Sequence, residues 1–303
     1  MNKEQFEIMS HGSGFVAALD QSGGSTPGAL AAYGLDSSAW STEEEMFDLV
    51  HQMRTRIITS PAFDSRYIIA AILFANTMDR QIEGLSTPEY LWNVKGIIPL
   101  LKVDSGLAEQ TGGVRLMKPF GDLTGLLAAA KKKGVYGTKM RSVIYSYDEE
   151  GICKLLDQQF EYAKQILAED MVPIIEPEVD IKAAEKEKIE DFLKAELVKR
   201  LDAFEGLERV MLKLTLPTKA GLYSDLAAHR HVQRVLALSG GYSRDEACKK
   251  LDENPALIAS FSRALTEGLT AQMSDAQFNE ALDEAVTKIH CASVHGCTLN
   301  VHE

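Results

Sequence analysis

Eight short apolar segments recur along the chain, separated by longer segments with helical periodicity. Strands that alternate with helices in this way are parallel and are joined by right-handed crossovers, in either a closed barrel or an open doubly wound sheet. Eight repeats favour closure, so the alternation predicts an α/β fold consisting of a single (β/α)8 TIM barrel. The predicted strands are residues 15–20, 67–74, 97–104, 134–141, 172–179, 209–216, 234–240 and 256–265.

The predicted helices and turns also help to distinguish a closed barrel from an open sheet. The helical pattern is clearest in residues 41–57, 149–170 and 180–204, and Ser41 with Glu44 predicts a capping box at the start of the first. An open dinucleotide-binding sheet would carry G-x-G-x-x-G after its first strand, but here FVAALD is followed by QSGGST. The charged run at 181–200 is typical of a solvated helix face, and no low-complexity linker interrupts the chain. We therefore expect one domain spanning residues 1–303.

The charge balance excludes some classes of partner. With 44 acidic and 32 basic side chains the net charge is -12, which opposes attraction to nucleic acid or to an anionic membrane. No stretch approaches the roughly 18 apolar residues of a membrane span, and the start MNKEQFEIMS is unlike a signal peptide. The 4 cysteines are scattered and suggest no disulfide framework. We expect a cytoplasmic protein with a small-molecule substrate, and the sequence leaves open whether it forms a homo-oligomer.

Polar side chains lie at the carboxyl ends of six predicted strands, where barrels of this kind carry their chemistry. Because side chains alternate along a strand, Lys139 and Arg141 share one face of their strand, as Glu176 and Glu178 do of theirs. The alternative to a functional site is a structural ion-pair network, but its repetition over six strand ends favours a site. The strand-end residues are Asp20, Lys102, Asp104, Lys139, Arg141, Glu176, Glu178, Lys213 and Ser239.

Lys213 lies within the apolar segment MLKLTL. Burial disfavours the ammonium form of a lysine, a neighbouring cation such as Lys139 adds to this effect, and a neutral amine can attack a carbonyl carbon. If Lys213 instead pairs with a carboxylate such as Glu178, it is a charged structural residue. The strand alone leaves both interpretations open.

Two loops rich in glycine and serine predict phosphate binding. Ser239–Gly241 follows the seventh strand, close in sequence to Arg263 in the eighth, and Ser22–Ser25 follows the first. Glycine lets backbone amides approach an anion, arginine can bind it with two parallel hydrogen bonds, and barrels often bind phosphate after strands seven and eight. Each loop alone also fits an ordinary turn. Two such loops together with several basic strand-end residues indicate two phosphates.

A metal site is not predicted. The strand ends carry no set of histidines, and the residues near the end of the chain match no zinc-site spacing. We therefore expect neither a metal nor a cofactor. The residues considered are His290, Cys291, His295, Cys297 and His302.

Taken together, the motifs resemble the class I fructose-bisphosphate aldolases, most closely their bacterial branch. The resemblance covers Asp20 to Arg263, nearly the whole chain, in family order, and the motifs are individually modest but jointly specific. It implies a single α/β barrel that reversibly and without metal cleaves fructose 1,6-bisphosphate into dihydroxyacetone phosphate and glyceraldehyde 3-phosphate, through a lysine Schiff base, in glycolysis and gluconeogenesis. The motifs are ALDQSGGST, LLKVDSG, TKMRSV, IIEPEVD, LKLTLP, LSGG and FSRAL.

Carried over residue by residue, the resemblance implies that Lys213 forms the Schiff base and that Glu176 is the general acid and base, assisted by Glu178. Asp20 orients the substrate hydroxyls, and Lys139 lies beside the reacting centre. The residues implied to surround the substrate are Arg141 at the reacting centre, Ser239, Gly240, Gly241 and Arg263 at the 1-phosphate, and Lys102, Ser22 and Ser25 near the 6-phosphate.

Two positions depart from the animal members of the family. Met140 stands where they have tryptophan, and the chain ends in NVHE without the terminal tyrosine that helps them protonate the enamine, which leaves the proton donor unassigned. The alternatives are another lysine-dependent barrel, such as a transaldolase or an aldolase for a different sugar phosphate, and a catalytically silent scaffold. Two phosphate loops favour a bisphosphate, and the presence of Lys213 and Glu176 favours an enzyme. The sequence leaves open whether the bisphosphate has six or seven carbons.

Overall fold

The computed structural model describes residues 2–22 and 25–295, and at its centre lies a ring of eight strands in which successive strands pair in parallel. The ring is completed where the N–H of Ala18 donates to the carbonyl oxygen of Phe261 at 3.1 Å. The predicted (β/α)8 barrel is therefore confirmed. In pairing order the strands are β1 (Phe15–Leu19), β2 (Ile68–Leu73), β3 (Ile98–Lys102), β4 (Gly137–Ile144), β5 (Val172–Val179), β6 (Val210–Thr215), β7 (Val232–Leu238) and β8 (Ile258–Ala259).

Each predicted strand overlaps one of these, because a barrel strand is covered on both faces and is apolar along most of its length. The last is shorter than predicted, since the chain turns into a helix at Arg263. Backbone pairing nevertheless continues past β8, where the N–H of Ser260 donates to the carbonyl oxygen of Ala237 at 2.8 Å.

Helices surround the barrel, and one of them covers an end of it. Met9 of the first helix joins the apolar cluster that fills the barrel interior, and Arg234 at the start of β7 donates to the carbonyl oxygens of Met9 and Gly12. The helices are α1 (Lys3–His11), α2 (Thr26–Ala32), α3 (Glu43–Thr59), α4 (Ala75–Asp79), α5 (Thr87–Asn93), α6 (Leu123–Lys132), α7 (Glu149–Ala168), α8 (Lys186–Asp202), α9 (Ser224–Ala227), α10 (Arg244–Asp252), α11 (Arg263–Thr266) and α12 (Asp275–Val294), with a 3-10 turn at Ser37–Ala39.

Two details of the predicted helices are wrong. The capping box of α3 is formed by Thr42 and Glu45, one residue later than predicted, because the helix begins at Glu43 and the Glu45 carboxylate accepts the N–H groups of both Ser41 and Thr42. The charged run of α8 is also not entirely a solvated face. Lys186 and Glu190 are buried, since they continue the stripe formed by Leu193, Leu197 and Leu201.

Two hairpins were not predicted. Gln81–Ile82 pairs with Leu85–Ser86, and Leu107–Thr111 pairs with Val114–Met117, which extends the sheet antiparallel to β4. The second hairpin turns at two glycines with φ of 57° and 71°, so the T-G-G-V sequence was the available signal for it. No helix among the described residues is long and apolar enough to span a membrane.

Candidate active site

The alternation of side chains along each barrel strand determines which polar residues face the interior together. The interior apolar cluster includes Ala18, Leu100, Ile174 and Met211. Because alternate side chains of a strand share a face, the next inward positions towards the carboxyl ends are polar. They are Asp20, Lys102, Glu176 and Lys213, followed by Asp104 and Glu178, and Lys139 and Arg141 of β4 join them.

Four of these residues form a continuous chain of contacts, which we call the inner ion chain. Lys213 Nζ lies 3.1 Å from Glu176 Oε1, and Lys139 Nζ lies 3.0 Å from Glu176 Oε2. Lys139 Nζ also lies 2.6 Å from Asp20 Oδ2. All four side chains are at most 9% exposed, so one buried carboxylate is shared between two lysines.

The electrostatics of the inner ion chain keep one of its pairs charged. Burial alone would raise the pKa of Asp20, but the positive charges of Lys139 and Lys213 outweigh burial and lower that pKa well below its ordinary value. Burial alone would lower the pKa of Lys139, but the charges of Asp20 and Glu176 outweigh it and raise that pKa. The Asp20 and Lys139 pair is therefore fixed as carboxylate and ammonium at neutral pH.

Local structure holds the central carboxylate in place. The side chain of Gln159 in α7 donates to the backbone carbonyl of Glu176 at 3.1 Å. Thr215, at the end of the strand that carries Lys213, exchanges two hydrogen bonds with the backbone of Val179. Strands β5 and β6 are thus tied together next to their catalytic candidates.

Two further ion pairs lie nearer the mouth of the barrel, and we call them the outer pairs. Lys102 Nζ lies 2.7 Å from Asp104 Oδ1, and Arg141 Nε lies 2.5 Å from Glu178 Oε2. Burial alone would lower the pKa of Arg141, but the Glu178 carboxylate beside it raises it. These are one-to-one pairs, the arrangement expected of a structural network.

Asp104 is a residue whose importance the sequence did not reveal. Asp104 was predicted to lie at a strand end, but no function was predicted for it. Its Oδ2 accepts the backbone N–H of Arg141 at 3.2 Å, while its Oδ1 contacts Lys102 and accepts the N–H of Gly106. It therefore joins the ends of β3 and β4 and connects the two outer pairs.

The structure brings the predicted loop after β7 close to Arg263. Ser239 is buried, and Gly240 and Gly241 have φ of 61° and 120°, which favour glycine. A Cβ atom on Gly240 would lie 2.7 Å from Ile181 Cγ2, and one on Gly241 would lie 3.6 Å from the Arg263 Nη2 atom. The positive φ values and the closeness of the Ile181 side chain explain why this loop carries two glycines, and the loop lies beside the exposed Arg263 guanidinium.

The loop after β1 closes on itself. Ser25 Oγ donates to the carbonyl oxygen of Ser22 at 2.9 Å and accepts the N–H of Ser22 at 3.0 Å. The two glycines between them, at positions 23 and 24, lie outside the described residues. This loop faces the β8 loop, since the side chain of Gln21 donates to Ser262 Oγ at 2.5 Å.

The sequence also missed Arg54 of α3, which is 1% exposed and donates to the carbonyl oxygen of Gln21. A signal existed, because position 54 falls on the helix face that includes Met46 and Val50.

The end of the chain is described only in part. No group of three potential metal ligands occurs among residues 2–22 and 25–295. Cys297, His302 and the terminal NVHE lie outside the described residues.

The inner ion chain can perform a definite kind of chemistry. It presents a buried primary amine beside a carboxylate that can carry a proton, while the second lysine and Asp20 hold fixed charges around them. An amine in this setting can attack a carbonyl group, and the carboxylate can exchange protons with the adduct.

Comparisons with known proteins agree with this chemistry. The model of the family described as fructose-bisphosphate aldolase class-I matches residues 2–288. A curated protein of Synechocystis sp., named fructose-bisphosphate aldolase class 1, is 56% identical over 293 residues, which are 97% of this chain and 98% of that protein.

Solved structures are similar in fold. The fructose-bisphosphate aldolase of Plasmodium falciparum, in complex with TRAP and a small-molecule inhibitor, has a TM-score of 0.75 at 21% identity, with 96% of this chain and 93% of that chain covered. A protein of Corynebacterium glutamicum has a TM-score of 0.53 at 11% identity, covering 96% of this chain and 92% of the other. At these identities the two likenesses concern the fold alone.

Proposed function

The chain belongs to the class I fructose-bisphosphate aldolase family, and from this premise we propose that Lys213 is the amine through which it reversibly cleaves fructose 1,6-bisphosphate. The observation that supports this role is the shared carboxylate. Glu176 lies about equally far from the amines of Lys213 and Lys139, at 3.1 and 3.0 Å. A proton can therefore leave one lysine while a positive charge remains beside the carboxylate.

The first half of the reaction forms the Schiff base. The neutral amine of Lys213 attacks the C2 carbonyl carbon of the substrate, and the oxygen takes up a proton to give a carbinolamine. Glu176, 3.1 Å from the amine, donates a proton to the C2 hydroxyl, which leaves as water. The product is an iminium ion that accepts electrons from the neighbouring carbon.

The second half breaks the carbon chain. Glu176, now a carboxylate, takes the proton of the C4 hydroxyl, the C3–C4 bond breaks, and its electron pair passes into the iminium to give an enamine. Glyceraldehyde 3-phosphate leaves. Protonation of the enamine at C3, followed by addition of water, releases dihydroxyacetone phosphate and restores the amine of Lys213.

The remaining members of the inner ion chain have supporting roles in this proposal. Lys139 keeps its charge and stabilises the carboxylate form of Glu176 after each proton transfer. Asp20, also charged, can accept hydrogen bonds from the substrate hydroxyls. Glu178 is held by Arg141 and assists Glu176 from the outer pair rather than by contact with Lys213.

The two phosphates are assigned to the two ends of the mouth. The 1-phosphate would lie between the β7 loop and Arg263, whose guanidinium comes close to Gly241. The 6-phosphate would lie near the β1 loop and Lys102. The residues proposed to bind them are Ser239, Gly240, Gly241 and Arg263 for the first, and Ser22, Ser25 and Lys102 for the second.

We also propose that residues 1–303 act as one domain, that the enzyme works in the cytoplasm on its small-molecule substrate, and that it does so without a metal or an organic cofactor. Its net charge of -12 opposes binding to nucleic acid, so we expect no nucleic-acid partner.

Borohydride trapping tests the central claim. The protein is incubated with dihydroxyacetone phosphate and a metal chelator, reduced with borohydride, digested and mapped by mass spectrometry. We expect one stable adduct, on the peptide that carries Lys213, and none in the Lys213→Met variant. An adduct on Lys139, or an unmodified Lys213 in the wild-type protein, would contradict the proposal.

A further inference from the structure

Arg54 is buried without an acidic partner. Its side chain is 1% exposed, and no carboxylate of the described residues forms an ion pair with it. Burial lowers the pKa of Arg54 to about 10, although the charge of Asp20 opposes this, so the group stays protonated at neutral pH. A buried charge that contacts only neutral groups is costly, so its contacts call for an explanation.

Those contacts join the loops that follow β1 and β2. One terminal nitrogen of Arg54, Nη1, donates to Thr77 Oγ1 of α4 at 2.6 Å. The other, Nη2, donates to the backbone carbonyl oxygen of Gln21 at 2.5 Å and lies 3.5 Å from the Gln21 side-chain oxygen. Because the guanidinium is planar and rigid, these bonds fix Gln21 in both its backbone and its side chain.

Gln21 continues the connection to the loop after β8. Its side-chain nitrogen donates to Ser262 Oγ at 2.5 Å. Gln21 immediately precedes Ser22, and Ser262 immediately precedes Arg263. The hydrogen bond from Gln21 to Ser262 therefore joins two residues that each lie next to a proposed phosphate ligand.

We propose that Arg54 is a positioning residue that sets the spacing of the two phosphate sites, by holding the β1 loop to the β8 loop through Gln21 and Ser262. The inference rests on the proposed function, since it takes the phosphate ligands from it. A fixed spacing reduces the ordering that a bisphosphate must impose when it binds. Arg54 thus contributes to the preference for a substrate with phosphates at both ends.

The test compares two substrates in the variants Arg54→Met and Arg54→Lys. We expect Arg54→Met to raise KM for fructose 1,6-bisphosphate by roughly tenfold, the loss of about one charged hydrogen bond. Its KM for fructose 1-phosphate, which has no second phosphate to align, should change less than about threefold, and kcat should be nearly constant. Arg54→Lys keeps the charge but not the planar fork, so it should recover only part of the lost bisphosphate preference.

A matched control lies on the same helix. Arg56, two residues away, bonds to Asp275 and to the carbonyl oxygen of Met273, neither of which belongs to the β1 loop or the β8 loop. Arg56→Met should lower Tm without changing the ratio of the two KM values. If Arg54→Met lowered both substrates' kcat/KM equally, Arg54 would be a purely structural residue and the proposal would be wrong.

Two milder variants keep the proposal testable if Arg54→Met does not fold. Gln21→Met and Ser262→Ala each remove one partner of the connecting hydrogen bond while Arg54 stays in place. Each should lower the bisphosphate preference, and the double variant should lower it no further than the single ones, because both remove the same bond. Additive effects, or none, would contradict the coupling.

Failure of the two proposals can be told apart. If wild-type protein gives no borohydride adduct on Lys213, the proposed function is at fault. If Lys213 is trapped normally in wild type and in Arg54→Met, and the ratio of KM values is unchanged, the fault lies with the role of Arg54.

Discussion

The barrel mouth and the inner face of α8 each bury a lysine beside a glutamate, and the two lysines differ in how completely they are bonded. Lys186 donates to the Glu190 carboxylate, to the Leu216 carbonyl oxygen at 2.9 Å and to the Thr218 hydroxyl at 3.3 Å. Glu190 in turn accepts the N–H of Thr218 at 2.9 Å. All three ammonium hydrogens of Lys186 have a partner, so this pair is saturated.

Lys213 has the opposite arrangement. It contacts Glu176 at 3.1 Å, and the described residues supply it with no further hydrogen bond. Its carboxylate is shared with Lys139, whereas that of Glu190 serves one lysine. Both sites thus bury a lysine beside a glutamate. They differ in that the Lys213 amine still has hydrogens without an acceptor in the part of the chain that the structure describes, and this feature indicates a reactive lysine.

The largest expected effect comes from removing the unsaturated lysine. Lys213→Met should lower kcat by at least about four orders of magnitude, because the neighbouring amine, Lys139, is held as an ammonium ion and cannot form the iminium ion in its place. Its Tm should stay within a few degrees of wild type, since methionine fills a similar volume and Glu176 keeps Lys139 as a partner. Steady-state kinetics and calorimetry measure both. Retained cleavage, or a collapse in Tm, would remove the distinction between the two lysines.

A smaller loss is expected when the shared carboxylate is neutralised. Glu176→Gln keeps the shape of the side chain but cannot exchange protons, so kcat should fall by about 10²–10⁴-fold. Glu178→Gln is the matched control, since Glu178 belongs to an outer one-to-one pair, and its loss should be nearer tenfold. Equal losses in the two variants would mean that sharing between two lysines does not identify the proton-transfer group.

The saturated pair should respond in stability instead of activity. Lys186→Met leaves Glu190 buried without its partner, which should lower the free energy of unfolding by about 3 kcal/mol, while kcat per folded molecule stays close to wild type. The double variant Lys186→Met, Glu190→Leu should recover most of this loss, because it removes both charges. Urea unfolding gives the energies. A large loss of kcat in the folded single variant would show that this pair also serves the reaction.

The sequence predicts a feature well when the interactions that produce it are local in the sequence. The eight strands were predictable because burial on both faces leaves a local apolar pattern, and Lys213 and Glu176 were visible as charges interrupting it. Lys186 and Arg54 were only weakly indicated, because the one signal for each is its position on the apolar face of an otherwise highly charged helix. Apart from Glu190, which lies on the same helix as Lys186, their partners lie on other elements of the barrel, so only the fold shows which groups they contact.

The smallest effect concerns pH and again separates the inner ion chain from ordinary carboxylates. Burial would raise the pKa of Asp20, but Lys139 and Lys213 lower it well below the usual value of about 3.9. A carboxyl group whose folded-state pKa is depressed contributes stability above its unfolded pKa, and this contribution is lost as pH falls towards the folded-state pKa. By pH 3 wild-type stability should therefore have declined by about 1 kcal/mol that Asp20→Asn does not show. Urea unfolding between pH 3 and pH 7 measures this decline. The control is Asp79→Asn, which removes the carboxylate of a surface ion pair.

The contradicting outcome is that Asp20→Asn loses stability with acid as steeply as the wild type and Asp79→Asn do. Asp20 would then not be held as a carboxylate by the two lysines. The inner ion chain would lack the fixed charge on which the proposed role of Lys139 depends.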